Sequence, residues 1–92
     1  MKVPFTQFMQ PDGRQKEVAT EVDDGLAHAV ANIHGRGWRL TAEMLSTGEI
    51  SLCVEDPEEG DVAIEVVPNG PQVTVAVERL LLAGDRAARG AK

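Results

Sequence analysis

Residues 38–68 read WRLTAEMLSTGEISLCVEDPEEGDVAIEVVP, and this stretch decides the fold. Three segments within it alternate between apolar and polar side chains, and turn-forming residues separate each segment from the next. A strict period of two with short connections predicts three strands in an antiparallel meander that has one face toward water. We expect the inward face to carry Trp38, Leu40, Ala42, Met44, Ile50, Leu52, Val54, Val62, Ile64 and Val66.

A helix is predicted immediately before this meander. Asp23 and Asp24 are N-cap candidates, and Gly35-Arg36-Gly37 can end a helix because one glycine can adopt the left-handed conformation. Apolar residues between them recur at helical spacing, which predicts a helix over about residues 24–35. The residues of this stripe are Leu26, Val30 and Ile33.

The N-terminal part predicts a β-hairpin. Residues 3–9 and 15–22 are β-prone or alternating, and Pro11-Asp12-Gly13 between them is typical of a turn. The sequence leaves open whether this hairpin joins the main sheet or stands apart.

The last element is ambiguous. Asn69-Gly70 followed by alternating valines is typical of a further hairpin, but Pro71 suits a helix start and residues 73–81 also fit helical spacing. We predict a helix over about residues 72–84. The resulting order, ββαβββα, indicates one α+β domain over residues 1–88, with a disordered tail at 89–92. Its antiparallel sheet of about five strands would carry both helices on one face.

Composition restricts the function classes. The chain has 92 residues, a formal net charge of −6 and one Cys. It contains no apolar run long enough to span a bilayer, and its N-terminus lacks the apolar segment of a signal peptide, so we expect a cytoplasmic protein without membrane contact.

The charge is concentrated in one segment. Between Leu40 and Glu78 there are nine acidic residues and no Lys or Arg. Such a field repels nucleic acid and attracts basic proteins, which predicts an acidic partner-binding surface. Its residues would be Glu43, Glu49, Glu55, Asp56, Glu58, Glu59, Asp61 and Glu65.

No motif predicts catalysis, a metal or a cofactor. The acidic stretch 55–61, EDPEEGD, lacks the ligand spacing of a calcium loop and is typical of a solvated hairpin loop. Cys53 has carboxylates as its nearest charges, which raise a thiol pKa, and the two histidines lie on different sides of their helix. Residues 24–84 share the element order of double-stranded RNA-binding domains, but the second helix starts without the lysines that hold phosphates.

One apolar excess indicates self-association. A helix that faces a single core cannot bury three consecutive leucines on one stripe, so we expect some of them at a homodimer face or a partner site. The candidates are Val75, Leu80, Leu81 and Leu82.

Three stretches, PFTQFMQPDGR (4–14), TGEISL (47–52) and IEVVPNGPQV (64–73), resemble short uncharacterised proteins of phage and prophage regions in proteobacteria. The resemblance implies a mobile-element context and no activity.

These observations favour a small non-enzymatic interaction or accessory module whose acidic surface meets a basic protein. Two alternatives stay open. A row of carboxylates spaced like phosphates could make the protein a DNA mimic that inhibits a nucleic-acid-binding host protein. Alternatively, the leucine-rich helix could make it a homo-oligomeric assembly protein.

Overall fold

The computed structural model describes residues 1–8 and 14–90, and these form five strands and two helices. The predicted α+β class and element order are confirmed, and a 3-10 turn at Asp24–Leu26 leads into the first helix. The elements are β1 (Lys2–Phe8), β2 (Gln15–Glu21), α1 (Ala27–Gly35), β3 (Arg39–Met44), β4 (Glu49–Asp56), β5 (Gly60–Pro68) and α2 (Gln72–Gly90).

The N-terminal hairpin joins the main sheet, whose strand order is β2-β1-β3-β4-β5. The prediction of a purely antiparallel sheet was wrong at one place, because β1 and β3 are parallel neighbours. The chain leaves β2, crosses the sheet through α1 and returns beside β1, and this crossover makes β3 run in the direction of β1. The predicted turn at residues 11–13 lies outside the described residues.

Local signals placed the ends of the first helical region correctly. The Asp23 carboxylate accepts a hydrogen bond from the Gly25 backbone N–H at 2.7 Å, which caps the 3-10 turn. At the other end, Gly37 has a φ of +77°, a conformation that glycine adopts without steric cost. Trp38 follows and is buried, so the chain enters β3 with its largest side chain in the core.

Both helices pack on one face of the sheet and together with it enclose the core. Ile33 of α1 and Leu81 of α2 are almost completely buried between the layers. The sheet contributes the side chains that alternate inward from each strand, and these are aliphatic except for one phenylalanine. The inward-facing core residues of the sheet are Val3, Phe5, Leu40, Ala42, Ile50, Leu52, Val54 and Val67.

The facing predicted for β5 was wrong. Ile50 of β4 pairs with Val67, and a β-bulge at the β4–β5 ladder shifts the register between Val54 and Glu55. Ala63, Glu65 and Val67 therefore face the helices. Ile64 and Val66, which were expected inward, lie on the other face and are 55% and 48% exposed. Val62, also expected inward, is half-buried at the bulge and packs against the edge of the core.

The last element is a helix, as predicted, but it is longer than expected. It continues to Gly90, so Arg89 and Gly90 are helical rather than part of a disordered tail. Arg89 Nε lies 3.2 Å from Asp85 Oδ2, one turn earlier, and this ion pair stabilises the final turns. Within the described ranges, neither helix combines the length and apolar character needed to cross a bilayer.

Candidate interaction surface: the open face of the sheet

The helices leave one side of the sheet uncovered, and we call this side the open face. Strand pairing arranges its side chains in rows that cross all five strands. One row consists of Glu17, Thr6, Thr41, Cys53 and Ile64, and the next consists of Gln15, Phe8, Glu43, Ser51 and Val66.

The open face carries exposed apolar side chains on the edge strand β5, and a groove lies beside them toward the middle of the sheet. Thr41 is only 6% exposed, although no helix covers it, because neighbouring side chains on this face surround it. It forms the floor of a groove of about 190 Å³ whose walls include Phe8, Cys53 and Ile64. Ile64 and Val66 are two of the four large apolar side chains that are exposed among the described residues. Contiguous exposed apolar area of this kind marks interaction surfaces more often than isolated apolar residues do.

Most charged side chains of the open face are carboxylates. By the pleat of the strands and their register, the described strand residues on the open face include six acids and two bases. The acids are Glu17, Glu21, Glu43, Glu49, Glu55 and Asp61, and the bases are Lys2 and Arg39. The open face is therefore predominantly anionic, and these carboxylates form an acidic border beside an apolar patch, Ile64 and Val66, at the β5 edge.

Arg39 modifies this border. Its Nε and Nη2 atoms donate hydrogen bonds to Glu55 Oε1 at 3.0 and 2.8 Å, so Glu55 is already paired within the chain. The acidic segment contains no cation in sequence, but in three dimensions it contacts one. Arg39 lies one residue before that segment in sequence, but β3 and β4 are neighbours and place it opposite Glu55.

Cys53 lines the groove, and its thiol is a poor nucleophile. Its thiol donates a hydrogen bond to Asp61 Oδ1 at 3.1 Å. Partial burial, this hydrogen bond and the negative charges of Asp61 and Glu55 raise the pKa of the thiol from 9.0 to about 12, although a hydrogen bond with Thr41 opposes the rise. The direction agrees with the expectation from the flanking acids, and the side chain contributes an apolar surface rather than a nucleophile.

The acidic residues singled out by sequence lie in three places. Glu43, Glu49, Glu55 and Asp61 are on the open face. Asp56 ends β4, and Glu58 and Glu59 belong to the loop that follows it, where the Glu58 backbone N–H donates a hydrogen bond to Asp56 Oδ1 at 2.9 Å. This loop and residues 36–38, which connect α1 to β3, line a cleft of about 420 Å³.

Glu65, the eighth predicted residue, is on the opposite side of the sheet. It faces α2, where the Arg79 guanidinium donates two hydrogen bonds to Glu65 Oε1. Glu65 therefore links β5 to α2 and does not belong to the acidic border. Alternation alone could not reveal this, because the partner comes from the next element of the chain.

The predicted oligomer face is divided by the helix geometry. Leu80 and Leu81 are 3% and 2% exposed and belong to the core, so the expectation that they lie at a partner interface was wrong. Val75 and Leu82 are 48% and 42% exposed. Successive residues of a helix are 100° apart around its axis. Because α2 contacts both the sheet and α1, its buried face is wide enough to include two consecutive leucines.

A polar cluster between the helices was not anticipated. Asp85 of α2 is 6% exposed and accepts a hydrogen bond from Asn32 of α1 at 2.5 Å. His28 Nδ1 lies 3.0 Å from the Gly25 carbonyl oxygen, and its Nε2 is 3.7 Å from Asp85 Oδ2. The Asn32 hydrogen bond and the Arg89 charge lower the pKa of Asp85 despite its burial. One feature of the sequence could have indicated that Asp85 is buried. It is four residues after Leu81, and residues four apart lie on the same face of a helix.

This cluster is on the helix side, whereas Cys53 is on the open face, so the structure does not bring thiol, imidazole and carboxylate together. In residues 1–8 and 14–90, no three His, Cys, Asp or Glu side chains are grouped so that they could hold a metal ion. His28 and His34, on the same helix, have no shared ligand position.

No known protein family, no curated protein and no solved structure matches this chain. The resemblance to phage-associated proteins therefore stays a prediction. What the open face can bind has to be inferred from its own shape and charge.

Proposed function

We propose that this chain is a non-enzymatic interaction module whose open face binds a basic partner protein. The observation that carries the proposal is the exposure of Ile64 and Val66 beside the acidic border of the same sheet face. Apolar contact supplies affinity, and the carboxylates select partners that carry Lys or Arg around an apolar stripe.

The architecture indicates the form of such a partner. Helices cover only one face of this sheet, an arrangement that is common for antiparallel sheets, and the uncovered face exposes Ile64 and Val66. A basic amphipathic helix would cover that face, with its apolar stripe over Ile64, Val66 and the groove at Thr41. Its flanking cations would then meet Glu49 and Asp61.

A defined peptide tests the proposal. We would titrate the protein with a helix-forming peptide of about 16 residues that places Leu at helical spacing between Lys, and with a scrambled peptide of identical composition. Binding is followed by chemical-shift changes of backbone amides. We expect the amphipathic peptide to bind more tightly, to shift residues of β3–β5, and to weaken as NaCl rises from about 50 to about 500 mM.

Two double variants locate the surface. Glu49→Lys with Asp61→Lys reverses charge on the open face and should abolish binding. Glu58→Lys with Glu59→Lys makes the same charge change on the loop and should leave most binding intact, since only the long-range field changes. Equal loss in both variants, or equal binding of the scrambled peptide, would contradict a mixed apolar and acidic site.

The DNA-mimic alternative has no specific support. A nucleic-acid backbone presents a continuous row of anionic groups. On the open face, the apolar side chains of Ile64, Val66 and Phe8 interrupt the carboxylates. Equal binding of both peptides is the outcome that would favour it. A cytoplasmic location and a mobile-element context are compatible with the proposed role and stay predictions.

A further inference from the structure

The solvent side of α2 carries the opposite charge to the open face. All exposed charged residues of this helix are arginines, namely Arg79, Arg86 and Arg89. The two carboxylates of α2 are less accessible, because Glu78 is half-buried and accepts a hydrogen bond from the Asp23 backbone, and Asp85 is 6% exposed. The strand residues of the open face include six acids and two bases, so the two outer sides of the domain differ in sign.

Two apolar residues lie among these arginines. Val75 and Leu82 are 48% and 42% exposed, and with Ile64 and Val66 they are the exposed large apolar residues of the part of the chain that the structure describes. At 100° per residue, these two and the three arginines fall within about 80° of the helix circumference, opposite the buried residues of α2. We call this set the outer stripe of α2, and it consists of Val75, Arg79, Leu82, Arg86 and Arg89.

We infer that the outer stripe of α2 in one copy of this chain docks on the open face of a second copy. The inference rests on the proposed function, because the outer stripe has the basic and apolar character proposed for the partner helix. Packing of two open faces would set acids against acids, and packing of two outer stripes would set arginines against arginines. The contact is therefore heterologous. Since the two surfaces lie on opposite sides of the domain, copies stack head to tail.

The spacing of the apolar residues fits this contact. Val75 and Leu82 are seven residues apart, which is about 10 Å along a helix. On the open face, Ile64, Cys53 and Thr41 form a row across three neighbouring strands, so Ile64 lies about 10 Å from Thr41 at the floor of the groove. One helix can therefore place one apolar residue on the β5 patch and the other over the groove.

The arginines between and beyond these residues then lie near the acidic border. Arg79 is bound by Glu65 and Arg89 pairs with Asp85, both within the chain. Arg86 is therefore the arginine of the outer stripe that is best placed to meet a carboxylate of the second copy.

Oligomeric state tests the inference directly. Sedimentation velocity between about 5 and about 500 μM should show association that extends beyond a dimer, and that weakens as NaCl rises from about 50 to about 500 mM. Arg86→Glu reverses a charge on the outer stripe and should raise the dissociation constant about tenfold. Lys16→Glu makes the same charge change at an exposed position of β2, and should alter the constant less than about twofold.

A mixture of two variants separates head-to-tail contact from contact between like surfaces. Leu82→Asp with Arg86→Glu disables the outer stripe and keeps the open face, whereas Glu49→Lys with Asp61→Lys does the reverse. Each variant alone should be a monomer. An equimolar mixture should form a one-to-one complex that does not grow, because one intact outer stripe and one intact open face remain for each pair.

The peptide titration distinguishes failure of this inference from failure of the proposed function. The variant with a disabled outer stripe should still bind the amphipathic peptide, since its open face is unchanged. Peptide binding by a wild type that stays monomeric at every concentration would overturn the inference and leave the proposed function standing. A mixture of the two variants that stays monomeric, or self-association that survives in either variant alone, would also overturn it. Loss of peptide binding by the wild type would overturn both.

Discussion

The thiol of Cys53 on β4 donates a hydrogen bond to the Asp61 carboxylate on β5, with 3.1 Å between Sγ and Oδ1. Because this thiol is also partly buried, its pKa is raised to about 12. At pH 8 roughly one molecule in ten thousand then carries the thiolate, against roughly one in ten for a thiol of pKa 9. We expect iodoacetamide to modify the native protein far more slowly than the same protein unfolded in urea.

Asp61→Asn identifies the contribution of the carboxylate. It removes the negative charge but keeps the size of the side chain, so the rate at pH 8 should rise about tenfold. It should remain below the unfolded rate, since burial is the larger cause of the raised pKa. Native modification as fast as in urea would show that the thiol is neither shielded nor hydrogen-bonded.

Gly84 of α2 lies against Ile33 of α1, so a larger residue at position 84 should lower the stability of the fold. A Cβ atom at this position would lie 2.9 Å from Ile33 Cδ1 and 3.4 Å from Val54 Cγ1. Ile33 is buried and has little room to move, so we expect Gly84→Ala to lower the free energy of unfolding by about 1–2 kcal/mol, despite the higher helix propensity of alanine.

The control for this substitution is Gly35→Ala. Gly35 ends α1 without a positive φ, and an added Cβ there would meet no atom within 4 Å. It should be neutral or stabilise by up to about 1 kcal/mol in urea unfolding. If Gly84→Ala were as well tolerated as Gly35→Ala, the close approach of α1 and α2 would be wrong.

Neighbouring leucines of α2 should respond very differently to a charge. Leu81→Asp buries a carboxylate in the core and should cost more than about 4 kcal/mol, most of the stability of a small domain. Leu82→Asp changes an exposed side chain and should cost within about 0.5 kcal/mol. Circular dichroism during thermal unfolding measures both. Comparable losses would mean that α2 is rotated relative to its position here.

Local patterns predicted most elements because their causes are local. The Asp23 cap, the glycines after α1 and the period of two in β3 and β4 all act within a few residues. The facing of β5 was not predictable in this way, since Ala63 and Val67 could also form an inner face. The β-bulge and the ion pair of Glu65 with Arg79 decide between the two, and both depend on contacts with other elements.

The candidate surface was predictable in the same limited sense. Where alternation identified the inward side of a strand correctly, its acidic residues were also correctly predicted to point outward. Glu43 of β3 and Glu49 of β4 are examples. The apolar patch at the β5 edge was missed because Ile64 and Val66 had been assigned to the core. Parallel pairing of β1 with β3, which brings Phe8 and Thr6 to this face, is likewise a long-range property.

Asp85 should make stability depend on pH. Its carboxylate accepts a hydrogen bond from Asn32 of α1 and forms ion pairs with Arg89 of its own helix and with His28 of α1. These contacts, the Asn32 hydrogen bond first, lower its pKa below the ordinary value of 3.8. A carboxylate with a lowered folded-state pKa stabilises the fold above its unfolded-state pKa. That contribution is lost as the pH falls through the folded-state pKa.

Urea unfolding of wild type and Asp85→Asn between pH 7 and pH 2 measures this contribution. The wild type should be more stable at pH 5 and above, and the difference should shrink once the pH falls below about 4. Glu59→Gln, on the exposed loop, controls for the loss of one negative charge and should show a smaller difference throughout. A difference for Asp85→Asn that stays constant down to pH 2 would mean that the ionised carboxylate does not stabilise the contact between the helices.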